Sequence, residues 1–315
     1  MAGESPGGDR GTGDDGTDGD GIDGTDGTDR PPALFDGTGE PLAAIADRLA
    51  AADGLSFCTD FDGTLSPIED DPDAPELPPE NRAALEALRD HDRGRVAVIS
   101  GRELADLRSR VGIEGIAYAG NHGLEVLRDG ETTVHPVAKK RQRDLERIVD
   151  DLDDRLAGTD CFVEDKSVSA TVHYREEPDR AEAVHEAVEA AVEGVAPGGF
   201  ERSTGKAIVE LTPTVAWDKG GALSLLTTDF DGWLPVYVGD DTTDEAAFRA
   251  LGEEGVGVHV GTGEDTAADY RIDDPSAVER LLDWFRTEGL AALDRSSPRD
   301  ESPEPSVSPR SSTDT

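Results

Sequence analysis

Apolar residues recur along this chain in two patterns, one with the three-to-four-residue spacing of helices and one in short unbroken runs. The first pattern predicts helices over 42–51, 81–89 and 103–111. The second predicts strands at "LSFCTDF" (55–61), "RVAVIS" (95–100) and "IAYAG" (116–120). Strands separated by helices point to a parallel sheet covered on both faces. The texture then changes. Residues 139–157 predict a long helix with Leu145, Ile148, Val149, Leu152 and Leu156 on one face and Gly158 placed to end it. One or two strands over 161–175, a helix over 179–192 and a strand over 206–213 complete a small α/β unit. The sheet pattern resumes with helix 219–227, strand 234–239, helix 244–250, strand 256–260 and helix 276–287.

The two ends carry neither pattern. Residues 1 to about 30 are almost entirely Gly, Asp, Thr and Ser, and the last twenty or so are rich in Ser, Pro and acids. Neither can bury enough apolar surface to offset chain ordering, so disordered acidic termini are expected, with limits at 1–36 and 294–315. The Asp-Gly steps do not make a calcium loop, because Ile22 stands where a ligand would be needed after Asp18 and Asp20.

The net charge is −40, from 70 acidic and 30 basic residues. Such a charge repels nucleic-acid phosphates and anionic membranes, so neither is an expected partner. No apolar run is long enough to span a bilayer, and the N-terminus lacks the pattern of an export signal. A soluble cytoplasmic protein is expected. Cys58 and Cys161 both lie in apolar runs and read as buried free thiols rather than a disulfide. Only five of the basic residues are lysine. Acid excess with scarce lysine resembles proteins of salt-loving (halophilic) hosts.

Four short motifs carry chemistry. In Asp60-Phe61-Asp62-Gly63-Thr64-Leu65, residues i and i+2 at a strand end bring two carboxylates to one side, and Gly63 lets the chain turn. Paired carboxylates can divide the roles of nucleophile and acid. Asp229-Phe230-Asp231-Gly232 mimics the pattern, but no apolar strand precedes it and Trp233 replaces the threonine. Ser100-Gly101-Arg102 follows a strand and precedes a helix, which suits an anion site. Lys219 opens a helix, where the macrodipole does not favour it. Asp240, Asp241 and Asp244 cluster after an apolar strand, a donor set suited to magnesium.

In this order the motifs resemble the haloacid dehalogenase (HAD)-like phosphohydrolases. The resemblance implies an α/β fold: a Rossmannoid core with a parallel sheet and an inserted α/β cap of the C2 type. It also implies that Asp60 takes the phosphoryl group, that Asp62 serves as acid and then base, and that Ser100 and Lys219 assist. Mg²⁺ would be held by Asp60, Asp62, Asp240 and Asp244, with Thr64, Gly101 and Arg102 near the phosphate. Ser100 and Lys219 lie 119 positions apart, too far for one crossover, so the cap falls between them. The expected limits are 37–126 and 213–293 for the core and 127–212 for the cap.

Gly120-Asn121-His122-Gly123-Leu124-Glu125 further resembles a stretch of the trehalose-6-phosphate phosphatases. So do Glu164-Asp165-Lys166, His173-Tyr174-Arg175, and Gly205-Lys206 with Glu210. That resemblance implies a sugar-phosphate substrate, trehalose 6-phosphate, approached by His122, Glu164, Lys166, Arg175, Lys206 and Glu210. It also implies a functional link to a trehalose-phosphate synthase. A monomer is expected. The competing expectations are a phosphatase for sucrose phosphate or a mannosyl- or glucosyl-phosphoglycerate, and a non-catalytic acidic metal-binding protein.

Overall fold

The computed structural model describes residues 30–67, 76–263 and 265–295. The expectations for the tails beyond these residues, including the Asp-Gly steps, lie outside the described residues. The core begins with α1 (Glu40–Ala51), β1 (Gly54–Thr59), α2 (Pro79–Asp90), β2 (Gly94–Ile99), α3 (Leu104–Val111) and β3 (Ala117–Gly120). A hairpin follows, β4 (Glu125–Arg128) and β5 (Glu131–Val134). The inserted unit holds α4 (Pro136–Leu156), β6 (Phe162–Asp165), β7 (Ala170–His173), α5 (Ala181–Val195), β8 (Phe200–Gly205) and β9 (Ile208–Pro213). The core then resumes with α6 (Lys219–Thr227), β10 (Trp233–Gly239), α7 (Glu245–Leu251), β11 (Val256–Val260) and β12 (Tyr270–Ile272). It closes with α8 (Pro275–Trp284), a π-helical turn at Phe285–Gly289, and α9 (Leu290–Leu293).

The large sheet has the order β12-β11-β10-β1-β2-β3-β4-β5. It is parallel from β12 to β3, and the β4–β5 hairpin adds an antiparallel edge. Every residue of β1 is buried, as expected of a central parallel strand covered on both faces. Leu55 and Phe57 pack with residues of α1, α2 and α8, while Cys58 packs with α6 and α7. The chain leaves β1 in one direction toward β2 and returns beside it on the other side as β10. Ligands of open α/β sheets bind at such a switch point, beyond the carboxyl ends of the strands.

The inserted unit is a four-stranded antiparallel sheet, β6-β7-β9-β8, with α4 and α5 on one face. Leu145, Ile148, Leu152 and Leu156 form the buried stripe of α4, and Gly158 follows that helix at φ 81°, a conformation glycine adopts without strain.

Two boundaries and one strand differ from the sequence reading. The cap begins after Val134, not at 127, because the hairpin pairs with β3 and Val126 packs into the core beside Ala119. The N-terminal tail ends before residue 36: Leu34 is fully buried and its N–H donates to the Arg271 carbonyl at 2.8 Å. Strand β8 gave no apolar pattern, because only Phe200 in it is buried. Cys58 and Cys161 are buried free thiols, as expected. Among the described residues no helix is long and apolar enough to cross a membrane.

Candidate active site

The end of β1 delivers Asp60 to the switch point, where its N–H donates to the Val238 carbonyl of β10 at 2.8 Å. Gly63 then turns the chain at φ 79°, and a Cβ there would lie 2.1 Å from an Asp240 carboxylate oxygen. Only glycine lets this turn close against Asp240. Thr64, fully buried, donates from Oγ1 to Asp240 Oδ1 at 3.2 Å. It therefore orients a carboxylate. Lys219, 2% exposed, places Nζ 3.2 Å from Asp60 Oδ2 and 2.8 Å from Asp244 Oδ1. Its place at the start of α6 is explained by these partners, since Asp218 caps the helix by accepting from the Gly221 N–H.

Asp60, Asp240 and Asp244 each offer an oxygen within 4.8 Å of the others. Burial pushes the Asp60 carboxyl well above the ordinary carboxylate range, against the pull of Lys219. Burial, then the charges of Asp244 and Asp241, push Asp240 up to about 7. Burial works against the charge on Lys219, but Asp60 and Asp244 outweigh it and hold the ammonium protonated. Three carboxylates face one ammonium in this cluster, a surplus of negative charge that suits a hard divalent cation with oxygen ligands. The donor set therefore fits magnesium.

The second shoulder of the site is the loop after β2. Ser100 is buried, and its Oγ accepts from the Arg102 N–H at 3.2 Å. Arg102 grips Asp62 with both oxygens at 2.7 Å and also binds Asp106 at 2.9 Å. Its guanidinium is thus taken up by carboxylates and sets the direction of Asp62. Gly101 gives room to His122, whose Cε1 would lie 2.7 Å from a Cβ at that position. The Gly101 carbonyl lies 3.4 Å from Lys166 Nζ, which crosses from the cap.

The cap sheet turns its helix-free face toward this loop. Lys166 Nζ lies 3.8 Å and His122 Nε2 3.7 Å from Glu210 Oε1, joining cap and core. Burial raises the Glu210 pKa, but its hydrogen bond and charge interaction with His122, then Lys166, hold it below its ordinary value. On β6, Glu164 bonds His173 Nε2 at 2.9 Å, and that bond lowers its pKa. Arg175 is exposed just after β7, and Lys206 is exposed in the β8–β9 turn. The structure thus brings Glu164, Lys166, Glu210 and His122 together and leaves Arg175 and Lys206 at the hairpin ends.

Three participants have no role in the sequence reading. Tyr237, an apolar-looking residue inside β10, donates its hydroxyl to Asp244 Oδ1 at 2.6 Å. Asn121 ties the hinge together through Glu125, the Lys166 carbonyl and Ser169. Phe162 is 53% exposed on the same face of β6 as Glu164, stacked on His173 with centroids 4.5 Å apart. An exposed phenyl ring beside polar groups suits a ligand with both an apolar face and hydroxyls. The look-alike at Asp229–Gly232 lies before β10, at the end of the strand away from the carboxylate cluster.

The Trehalose-phosphatase family matches residues 58–276. A trehalose-phosphate phosphatase of Mycobacterium marinum is 38% identical over 231 residues, covering 70% of this chain and 58% of the relative. One of Mycobacterium tuberculosis is 38% identical over 258 residues, covering 76% and 63%. Trehalose-phosphate phosphatase B of Arabidopsis thaliana is 32% identical over 252 residues, covering 72% and 66%. This chain thus spans less than two thirds of each relative's length. Among solved structures, the C-terminal domain of Candida albicans trehalose-6-phosphate phosphatase aligns with a TM-score of 0.65 at 23% identity, over 81% of this chain and 98% of that one, a likeness of fold. The Aspergillus fumigatus trehalose-6-phosphate phosphatase aligns at 0.57 and 26% identity, over 81% and 98%.

Proposed function

Since the chain belongs to the trehalose-phosphatase family, we propose that it hydrolyses trehalose 6-phosphate to trehalose and phosphate, as a Mg²⁺-dependent enzyme. The observation that carries this reading is the meeting of two clusters. Asp60, Lys219, Asp240 and Asp244 stand at the strand ends, and Glu164, Lys166, Glu210 and His122 stand across from them. The first set suits phosphoryl transfer, and the second supplies charged donors and acceptors for sugar hydroxyls.

Asp60 attacks phosphorus in line, forming a bond from its carboxylate oxygen while the sugar oxygen leaves. Asp62, aimed by Arg102, gives the departing oxygen a proton. The same group then takes a proton from the water that hydrolyses the aspartyl phosphate. Lys219 and Ser100 stabilise charge on the phosphoryl oxygens. Asp60, Asp240 and the Asp62 carbonyl would hold Mg²⁺, with Asp244 behind them. The ion, when bound, supplies Lewis-acid charge to the phosphoryl group. The cap closes over the site and excludes water.

A panel of phosphate esters assayed for phosphate release with Mg²⁺ tests the substrate. Trehalose 6-phosphate is expected to give the highest kcat/KM. Preference for sucrose phosphate or for a mannosyl- or glucosyl-phosphoglycerate would overturn the assignment.

A further inference from the structure

The large sheet carries a second concavity, away from the carboxylates. A cavity of about 880 Å³ opens beside β1, β2 and β3. Its origin lies in the side chains of adjacent strands. Ser56 and Cys58 on β1, Ala97 on β2 and Ala117 on β3 are all small. Cys58 pairs with Ala97, and Ala97 with Ala117, so these three form a row across the sheet. Leu226 from α6 and Phe230 from the following loop wall the space above them. No residue of the four catalytic motifs lines it. Phe230 belongs to the Asp229–Gly232 look-alike, which thereby gains a place in the fold.

Two polar features mark this space as more than a packing defect. Ser56 is 3% exposed, and its hydroxyl has no hydrogen-bond partner among the described residues. A buried hydroxyl left without a partner is costly, which makes it a natural anchor for a bound group. Its partner in register on β2 is Arg95, so the two side chains project to the same face. Arg95 stands over the rings of Phe230 and Trp233, 5.8 and 5.5 Å from their centroids, and bonds only the Gly94 carbonyl. It has no carboxylate partner among the described residues. Neither has Arg108, which also lines the cavity. Of the other charged lining residues, Arg128 pairs with Asp229 at 3.1 Å and with Asp129 at 3.8 Å, and Glu114 brings a carboxylate to the rim while its backbone carbonyl accepts from Arg89. In a chain with 70 acids and 30 bases, two guanidiniums without a carboxylate partner at one cavity are a specific arrangement, even with Glu114 and Asp129 also on its lining. Arginine placed beside aromatic rings keeps its N–H donors available to an anion.

We propose that this cavity is a second binding site, for a small organic anion with a flat apolar body. Arg95 and Arg108 meet the charge, Ser56 donates or accepts a hydrogen bond, and Phe230, Leu226 and Cys58 meet the body. The occupant touches β1, the strand that ends in Asp60, and so is placed to act on the catalytic end. The site stands independently of the sugar-phosphate reading.

The dye 8-anilinonaphthalene-1-sulfonate has this chemistry and serves as the probe. Fluorescence titration of the folded full chain at one fixed salt concentration is expected to show one dye bound per chain. Arg95→Ala and Arg108→Ala should each weaken binding at least tenfold, with circular dichroism and the melting temperature confirming that each variant is folded. The uncharged analogue N-phenyl-1-naphthylamine should bind at least tenfold more weakly. Lys166→Ala, at the cap, should leave binding unchanged. Absence of dye binding, or binding that both arginine variants leave intact, would overturn the proposal. So would loss of binding in Lys166→Ala alone, which would place the dye in the catalytic mouth.

Discussion

Asp244 accepts four hydrogen bonds, from Lys219 and Tyr237 on Oδ1 and from the Asp240 and Asp241 amides on Oδ2. It is fully buried, as are the side chains of Lys219 and Tyr237 that donate to it. Breaking a buried ion pair by removing one partner costs about 3–5 kcal/mol. Asp244→Ala should lower unfolding stability by about that amount, measured by urea denaturation. A loss below ~1 kcal/mol would show that the carboxylate is not the anchor of the cluster. Glu210 gives a pH-dependent test. Its folded pKa lies below its ordinary value, so the stability it adds is present above the unfolded pKa and fades as pH falls through the folded one. Glu210→Gln should therefore melt lower than the wild type at pH 7, and the gap should close as the pH drops through the carboxylate range. A gap that widens in acid would contradict the pairing with His122. Asp60, Asp62, Lys219 and Asp240 were legible in the sequence because each follows an apolar strand or opens a helix. Tyr237 was not, because a tyrosine inside a strand carries no sign of where its hydroxyl points.

At the scale of elements, the β1 turn is the tightest constraint. Gly63→Ala must fit a Cβ 2.1 Å from Asp240 while holding φ at 79°. Isothermal titration should show Mg²⁺ affinity reduced at least tenfold in that variant. Unchanged affinity would mean that the turn and Asp240 are not coupled. Strands β1, β2, β3, β10 and β11 were read from the sequence because burial on both faces leaves unbroken apolar runs. Strand β8 and the β4–β5 hairpin were not. In β8 only Phe200 is buried, and β5 is an edge strand with no fully buried residue. Without an apolar face, period-two patterning disappears, and with it the cue that would have set the cap boundary at Val134.

The whole molecule carries a charge of −40, and residues 1–30 contribute only nine acids and two arginines. Most of the self-repulsion therefore belongs to the remainder of the chain. The Debye length falls from about 10 Å at 0.1 M salt to about 3 Å at 1 M, which screens much of it. The melting temperature should rise between dilute buffer and molar KCl, read by differential scanning calorimetry. A steady fall would contradict the salt-adapted reading. The same charge opposes the proposed phosphorylated substrate, and with three carboxylates facing Lys219 the site would need a divalent cation to offset it. The fold class and the two-part organisation were visible in the alternation of elements and the 119 positions between Ser100 and Lys219. The arginine-lined cavity was not, because it depends on side chains from separated segments. The central claim, a Mg²⁺-dependent phosphatase that uses Asp60 as its nucleophile, meets its most direct test in phosphate release from trehalose 6-phosphate. The wild type should release phosphate with Mg²⁺ and lose that activity in EDTA, while Asp60→Asn, folded by its melting curve, should release none. Near-normal release by Asp60→Asn, or none by the wild type with Mg²⁺, would contradict it.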